Sequence, residues 1–282
     1  KSYQKSVYGL TSEAEQLATQ ALQASPGKHA FLQCASHLFL ASALVRAGKL
    51  DEALQEYHSI RMTCEMQREL AGLALLEADF LQYAAVYMNA RNETRRAKDL
   101  LEDAIQAFEA ADGYRKAATL YLHVGLGKIL FIENKLAEAE RALERGLQLD
   151  PLALSLAATD GWLTLWWVKI GQGAYPAARR ILDDLEPSIR RRDEKIQRLF
   201  ILTGALQDLL EGQTASAVLR MERLGFSDDV DSALANVSDS EVIGWRSNEY
   251  LVYARVLAAQ GKTAPSLRVL EHMAQVTQAH GL

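Results

Sequence analysis

Proline is scarce in this chain, with 5 residues in 282, and glycine stands at 17, which together exclude a collagen-like or a low-complexity disordered polypeptide. Cysteine is limited to Cys34 and Cys64. They stand apart in apolar sequence without a CxxC or Cys/His pairing, so neither a zinc site nor a disulfide framework is indicated, and both read as buried thiols. No apolar run reaches the ~18 to 20 residues that cross a bilayer. No signal peptide is visible either, and the expected location is cytoplasmic, without membrane contact. An excess of positive charge is also missing: 31 basic residues face 36 acidic ones, a formal charge of −5, so no direct contact with nucleic acid is expected. A starting methionine is absent too; the chain opens at Lys1 inside what reads as a helical unit and stops at Leu282 just after another, the expected pattern of a segment of a longer protein.

Alanine and leucine dominate instead, and both lose little side-chain freedom in a helix. With 49% hydrophobic and 24% charged residues, the chain can bury a sizeable core. Strand signals are nearly absent. The organisation emerges as a repeat. A turn-forming residue followed five positions later by a small one recurs at Gly9 and Ala14, Gly48 and Ala53, Asn92 and Ala97, Asn134 and Ala139, Gly173 and Ala178, Gly212 and Ala217, and Gly261 and Ser266. The turn residues lie 39, 44, 42, 39, 39 and 49 positions apart.

Each anchor reads as a tight helix-to-helix turn, where Gly or Asn takes the left-handed conformation that ends a first helix, and the small residue lets a second helix pack closely. Nine positions after the anchor stand Tyr57, Leu101, Leu143, Leu182, Met221 and Leu270, the inward face of the second helices. Seven before it stand Ala41, Ala85, Gly127, Trp166, Ala205 and Ala254, where the two helices of a hairpin should come closest. The expected fold is all-α, a right-handed superhelical solenoid of six to seven helix-turn-helix repeats in one domain over residues 1–282.

This pattern, with a proline after one second helix at Leu149-Asp150-Pro151, is similar to the tetratricopeptide (TPR) consensus, with a period nearer 40 than 34 residues. Two segments narrow the resemblance. Gly244 to Lys262, reading GWRSNEYLVYARVLAAQGK, and Gly125 to Glu140, reading GLGKILFIENKLAEAE, resemble signatures of the MalT-like, LuxR-type ATP-dependent transcriptional regulators. The resemblance implies a helical sensor region between a nucleotide-binding module and a helix-turn-helix. The chain has no GxxxxGK[ST] loop and no basic recognition helix. ATP would therefore be bound only in a module outside it, and no cofactor is expected here.

Catalysis finds little support in the residues. The six histidines, at 29, 37, 58, 123, 272 and 280, form no HExxH or other close pair; His37 and His123 both fall eleven before an anchor and read as packing residues. The pairs Glu102-Asp103 and Asp183-Asp184 read as solvated helix exteriors, as do Arg95-Arg96 and Arg190-Arg191-Arg192. The acidic stretch from Asp228 to Glu241 lacks the order and the loop glycine of a calcium-binding loop and reads as an exposed connection in the longest interval. The chain is expected not to be an enzyme.

The expected working surface is the concave wall formed by the first helices. The positions 13, 10, 6 and 3 before each turn, which line that wall in TPR proteins, are here Asp79, Gln82, Val86 and Asn89; Tyr121, Val124, Lys128 and Phe131; Asp160, Leu163, Trp167 and Ile170; Leu199, Leu202, Leu206 and Leu209; and Asn248, Leu251, Arg255 and Ala258. The ligand-binding candidates are Asp79, Gln82, Asn89, Tyr121, Lys128, Asp160, Trp167, Asn248 and Arg255. Trp162, Trp166 and Trp167 cannot share one face, since adjacent residues point about 100° apart, and Trp162 and Trp166 read as buried. Trp245 reads as structural or ligand-contacting alike. The expected function is an effector-sensing region of a MalT-like regulator that binds a small-molecule inducer and signals to the other domains of the same regulator. The alternative is a TPR scaffold for a partner peptide or helix. Apolar end faces of a solenoid also offer a route to self-association.

Overall fold

The computed structural model describes residues 11–24, 30–63, 71–111, 113–150, 155–227, 229–235 and 246–279. They fold into helices joined by short turns, with no strand among the described residues. In order these are α1 (Thr11–Ala24), α2 (Ala30–Arg46), α3 (Leu50–Thr63), α4 (Ala71–Ala90), α5 (Thr94–Glu109), α6 (Tyr114–Ile132), α7 (Leu136–Leu147), α8 (Leu156–Gly171), α9 (Tyr175–Ile189), α10 (Glu194–Leu210), α11 (Thr214–Arg223), α12 (Val230–Ala235), α13 (Ser247–Ala259) and α14 (Thr263–Ala279). None is long and apolar enough to cross a membrane. The chain divides into two compact units, residues 1–172 and 173–282.

The turns follow the sequence period. All six anchors among the described residues have positive φ: Gly48 78°, Asn92 64°, Asn134 61°, Gly173 71°, Gly212 74° and Gly261 79°. Behind several of them the amide three residues past the helix end reaches back five residues, as in Lys49 N to Leu44 O and Lys135 N to Leu130 O, both 2.9 Å. This satisfies carbonyls that the helix end would otherwise orphan. Gly9 lies outside the described residues. The small residue at +5 is buried in every repeat, with Ala14, Ala53, Ala97, Ala139, Ala178 and Ala217 at 0% exposure. Ser266 turns its extra polar group to use by donating to the Ala254 carbonyl at 2.8 Å.

In the first unit, α2, α4, α6 and α8 stack side by side as a row of first helices, with α3, α5 and α7 as their second helices. The second helices are amphipathic: α5 buries Ala97, Leu101, Ile105 and Phe108 and exposes Arg95, Arg96, Glu102 and Asp103. The first helices α4 and α6 are apolar nearly all round because each is covered by a first helix on either side and by its own partner. Each fully buried leucine, such as Leu101 or Leu143, contributes roughly 2–3 kcal/mol. In the second unit α10 and α13 are the first helices and α11 and α14 their partners, around a core with Met221, Phe226, Tyr250 and Tyr253. The long interval before Gly261 holds α12, which packs on α14. Asp229 and Asp231, read as parts of an exposed connection, are exposed; Asp229 accepts the Ser232 amide at 3.2 Å and Asp231 pairs with Arg268 at 2.9 Å.

Two expectations are corrected. Cys34 is buried, as expected, but it is disulfide-bonded and not a thiol. Cys64 lies outside the described residues. Leu270 at +9 is 39% exposed, whereas the other five residues of that slot are buried. The last helix buries Ser266, Val269 and Val276 instead, a stripe rotated by one residue.

Candidate functional site

Within the first unit the row of first helices carries a string of polar groups. Arg46 at the end of α2 donates from its terminal nitrogen to Asp79 Oδ2 of α4 at 3.3 Å, and its guanidinium carbon stands 3.8 Å from the centre of the Tyr83 ring. Tyr87 donates to the Arg46 carbonyl at 3.3 Å. On the next pair of helices Lys128 of α6 is ion-paired with Asp160 of α8. Tyr121, one helical face with Lys128, lies half-buried on α6.

Burial controls the electrostatics. Asp79 is 6% exposed, and loss of solvent pushes its carboxyl up to about 6, while the Arg46 charge pulls the other way. The Tyr121 phenol rises to about 12, from burial first and then from the Asp79 charge. The Arg46 Nε is buried without a hydrogen-bond partner among the described residues. The row therefore holds two carboxylates, an ammonium, a guanidinium and three phenols, with hydrogen-bonding capacity that the described residues do not exhaust.

The candidate positions separate by slot. Thirteen and six before the turn are seven residues apart, almost the same direction on a helix. There Tyr121, Lys128 and Asp160 are half-buried, Trp167 is 40% exposed, and Asn248 and Arg255 are exposed. The slot at −10 points about 60° away and on α4 and α6 meets the next first helix. Gln82 is 3% exposed, with its Cγ against Gly125, and Val124 stands against Gly161. Leu163 and Leu202 are buried as well. Asn89 accepts a hydrogen bond from Thr94 Oγ1 at 2.7 Å, bracing its own turn. Trp166 is fully buried and stands edge-on to Trp167, 4.6 Å between ring centres. Trp162 is half-buried, with its Nε1 lacking a partner. Trp245 lies outside the described residues.

Of the polar row, the sequence pattern missed Arg46 and Tyr83, because the first hairpin was not sampled and Tyr83 falls between the slots. The signal was an arginine two residues before one turn and an aspartate thirteen before the next. His37 pairs with Glu56, and His123, with its imidazole pKa lowered by burial, faces Glu109 at 3.3 Å. Both are packing residues between helices of neighbouring position. Among the described residues no group of three or more His, Cys, Asp or Glu side chains could hold a metal ion.

Residues 7–282 match the MalT-like TPR region. The chain belongs to that family. Two solved structures resemble this MalT-like TPR region. A tetratricopeptide repeat protein from Parabacteroides merdae is 17% identical, covers 98% of this chain and 90% of its own, and has a TM-score of 0.55. The apo form of the quorum sensor NprR from B. thuringiensis is 12% identical, over 98% of this chain and 87% of that one, with a TM-score of 0.48. At these identities the first likeness concerns the fold, an all-helical TPR-like repeat. No curated protein sequence matches the chain.

Proposed function

We propose that this MalT-like TPR region is the non-catalytic, effector-sensing part of a transcriptional regulator, and that a small polar effector binds along α4, α6 and α8 of the first unit. The observation that carries the reading is the buried Asp79 carboxyl beside an Arg46 whose Nε has no partner among the described residues. Unfinished hydrogen bonding inside a helix row is costly for a region that only scaffolds, and a ligand would complete it. Lys128, Asp160 and Tyr121 supply further contacts, and Trp167 an exposed ring for stacking. Signalling follows by population shift: an effector that favours one helix arrangement by a few kcal/mol moves the equilibrium of the ATPase and DNA-binding modules attached to it.

A thermal-shift screen of the 282-residue chain against a metabolite library tests this, because a ligand at 100 times its Kd stabilises by about 2.7 kcal/mol. A stabilising compound whose effect disappears in Asp160→Asn and Lys128→Ala supports the reading. A hit indifferent to both substitutions, or no hit at all, sinks it.

The scaffold reading has its own support in the second unit, where Asn248, Leu251, Arg255 and Ala258 form one exposed strip along α13, with Leu251 42% exposed. A peptide docked on that strip would be lost in pull-down with Leu251→Asp, while the thermal-shift hits would remain.

A further inference from the structure

The arginine run at the end of α9 is unused by the reading above. Arg190 stands at a cavity of about 350 Å3 in the second unit, together with Arg220 and Arg223 of α11, Gln197 and Phe200 of α10, and Glu186 and Ile189 of α9. Three arginines and a single acidic residue thus line this cavity, in a chain whose net charge is −5. A solvated helix end accounts for Arg190 alone. It does not account for two arginines of another helix converging on the same space.

The three differ in how far they are committed. Arg220 spends its Nε–H on the buried Asp208 at 2.7 Å, and its terminal nitrogen lies over Gly204, where a Cβ would come within 2.6 Å. It is therefore held in place with donors to spare, since a guanidinium has five. Among the described residues Arg190 is paired only with Glu186, at 3.1 Å, in a solvent-exposed couple that holds weakly. Arg223 is exposed and has no ion-pair partner among the described residues. Gln197 donates to the Arg192 carbonyl at 2.7 Å and so fixes the chain beside Arg190. Ile189 and Phe200, both buried, give the cavity an apolar wall. A volume of this size suits a single-ring molecule.

We propose that this cavity binds a small organic anion, its carboxylate or phosphate head held by Arg190, Arg220 and Arg223 and its apolar body against Phe200 and Ile189. Planar forked donors match either head group, and the apolar wall discriminates against a bare ion.

Isothermal titration of the 282-residue chain with phenyl phosphate, benzoate, inorganic phosphate and benzyl alcohol tests it. The expected result is saturable binding of at least one aromatic anion, about tenfold or more tighter than inorganic phosphate or benzyl alcohol. The stronger of phenyl phosphate and benzoate identifies the head group. Affinity should fall about tenfold or more in the double variant Arg190→Ala/Arg223→Ala and rise severalfold in Glu186→Gln, which frees Arg190. All three side chains are exposed, so the fold is retained, as an unchanged melting temperature would verify. The proposal is overturned if neither aromatic anion saturates below about 10 mM, if the double variant binds as tightly as the parent, or if Glu186→Gln binds no tighter. Asp160→Asn in the first unit leaves the titration unchanged, so this site and the effector site stand or fall separately.

Discussion

Leu143 Cγ lies 2.5 Å from the point where a Cβ on Gly127 would stand. The helices α6 and α7 meet this closely because the residue seven before the turn has no side chain. Gly127→Ala would gain about 1 kcal/mol of helix propensity, yet it forces a methyl into a Leu143 that is fully buried, and overpacking of this kind costs about 1–3 kcal/mol. The expected outcome is a net loss of up to about 2 kcal/mol. It would be read as a lower urea midpoint at unchanged slope.

Much of this packing was legible in the sequence. Ala41, Ala85 and Ala205 repeat the small residue of Gly127 and are likewise fully buried, because a fixed offset from a turn fixes the direction a side chain takes around the helix axis. Periodicity does not fix the axial offset between helices of different repeats. That offset decides that Arg46 meets Asp79, 33 residues on, and that Lys128 meets Asp160, 32 residues on. It also places Gln82 against Gly125 and removes it from the surface. The polar row was therefore half visible: its acids and its lysine fell in sampled slots, and the arginine that partners Asp79 did not.

Asp79 should make stability fall as pH rises through weakly acidic values. Its folded pKa, about 6, lies above its ordinary value of 3.8. Between these values the folded chain holds a proton that the unfolded chain has released, so the Asp79 contribution is complete below about 4 and is lost by pH 7. The shift corresponds to a loss on the order of 2–3 kcal/mol. The measurement is the stability difference between the parent and Asp79→Asn at pH 4, 5, 6 and 7, in which carboxylates elsewhere cancel. A difference independent of pH would refute the assignment.

Asn134 holds φ at 61° and Asn92 at 64°, where the other described turns use glycine. Asparagine tolerates this region better than alanine does. Asn134→Ala should cost about 1–2 kcal/mol, while Asn134→Gly should be nearly neutral. Equal losses for both would mean that the Asn134 side chain itself, and not the backbone conformation, holds the turn.

Asp208 joins three helices of the second unit. Its carboxylate is 1% exposed and accepts from Arg179 of α9 at 2.6 Å and from Arg220 of α11 at 2.7 Å. Arg179 continues to Glu211 at 2.6 Å, and its hydrogen bonds hold the Glu211 carboxyl below the usual range. Asp208→Ala removes one partner from two guanidiniums at once, and breaking a buried pair in this way costs about 3–5 kcal/mol. The exposed pair of Arg190 with Glu186 offers the contrast, since Glu186→Gln should change stability by less than about 0.5 kcal/mol. Hydrogen exchange would place the Asp208→Ala effect: amides of α9, α10 and α11 should lose protection first, whereas uniform loss across both units would show that Asp208 is no local strut. Acid should act on the same network, because the contribution of Glu211 is present above its ordinary pKa and is lost as pH falls through the lowered folded value. Glu211→Gln should therefore abolish part of the acid-induced loss of protection in α9 and leave that of α6 and α7 unchanged.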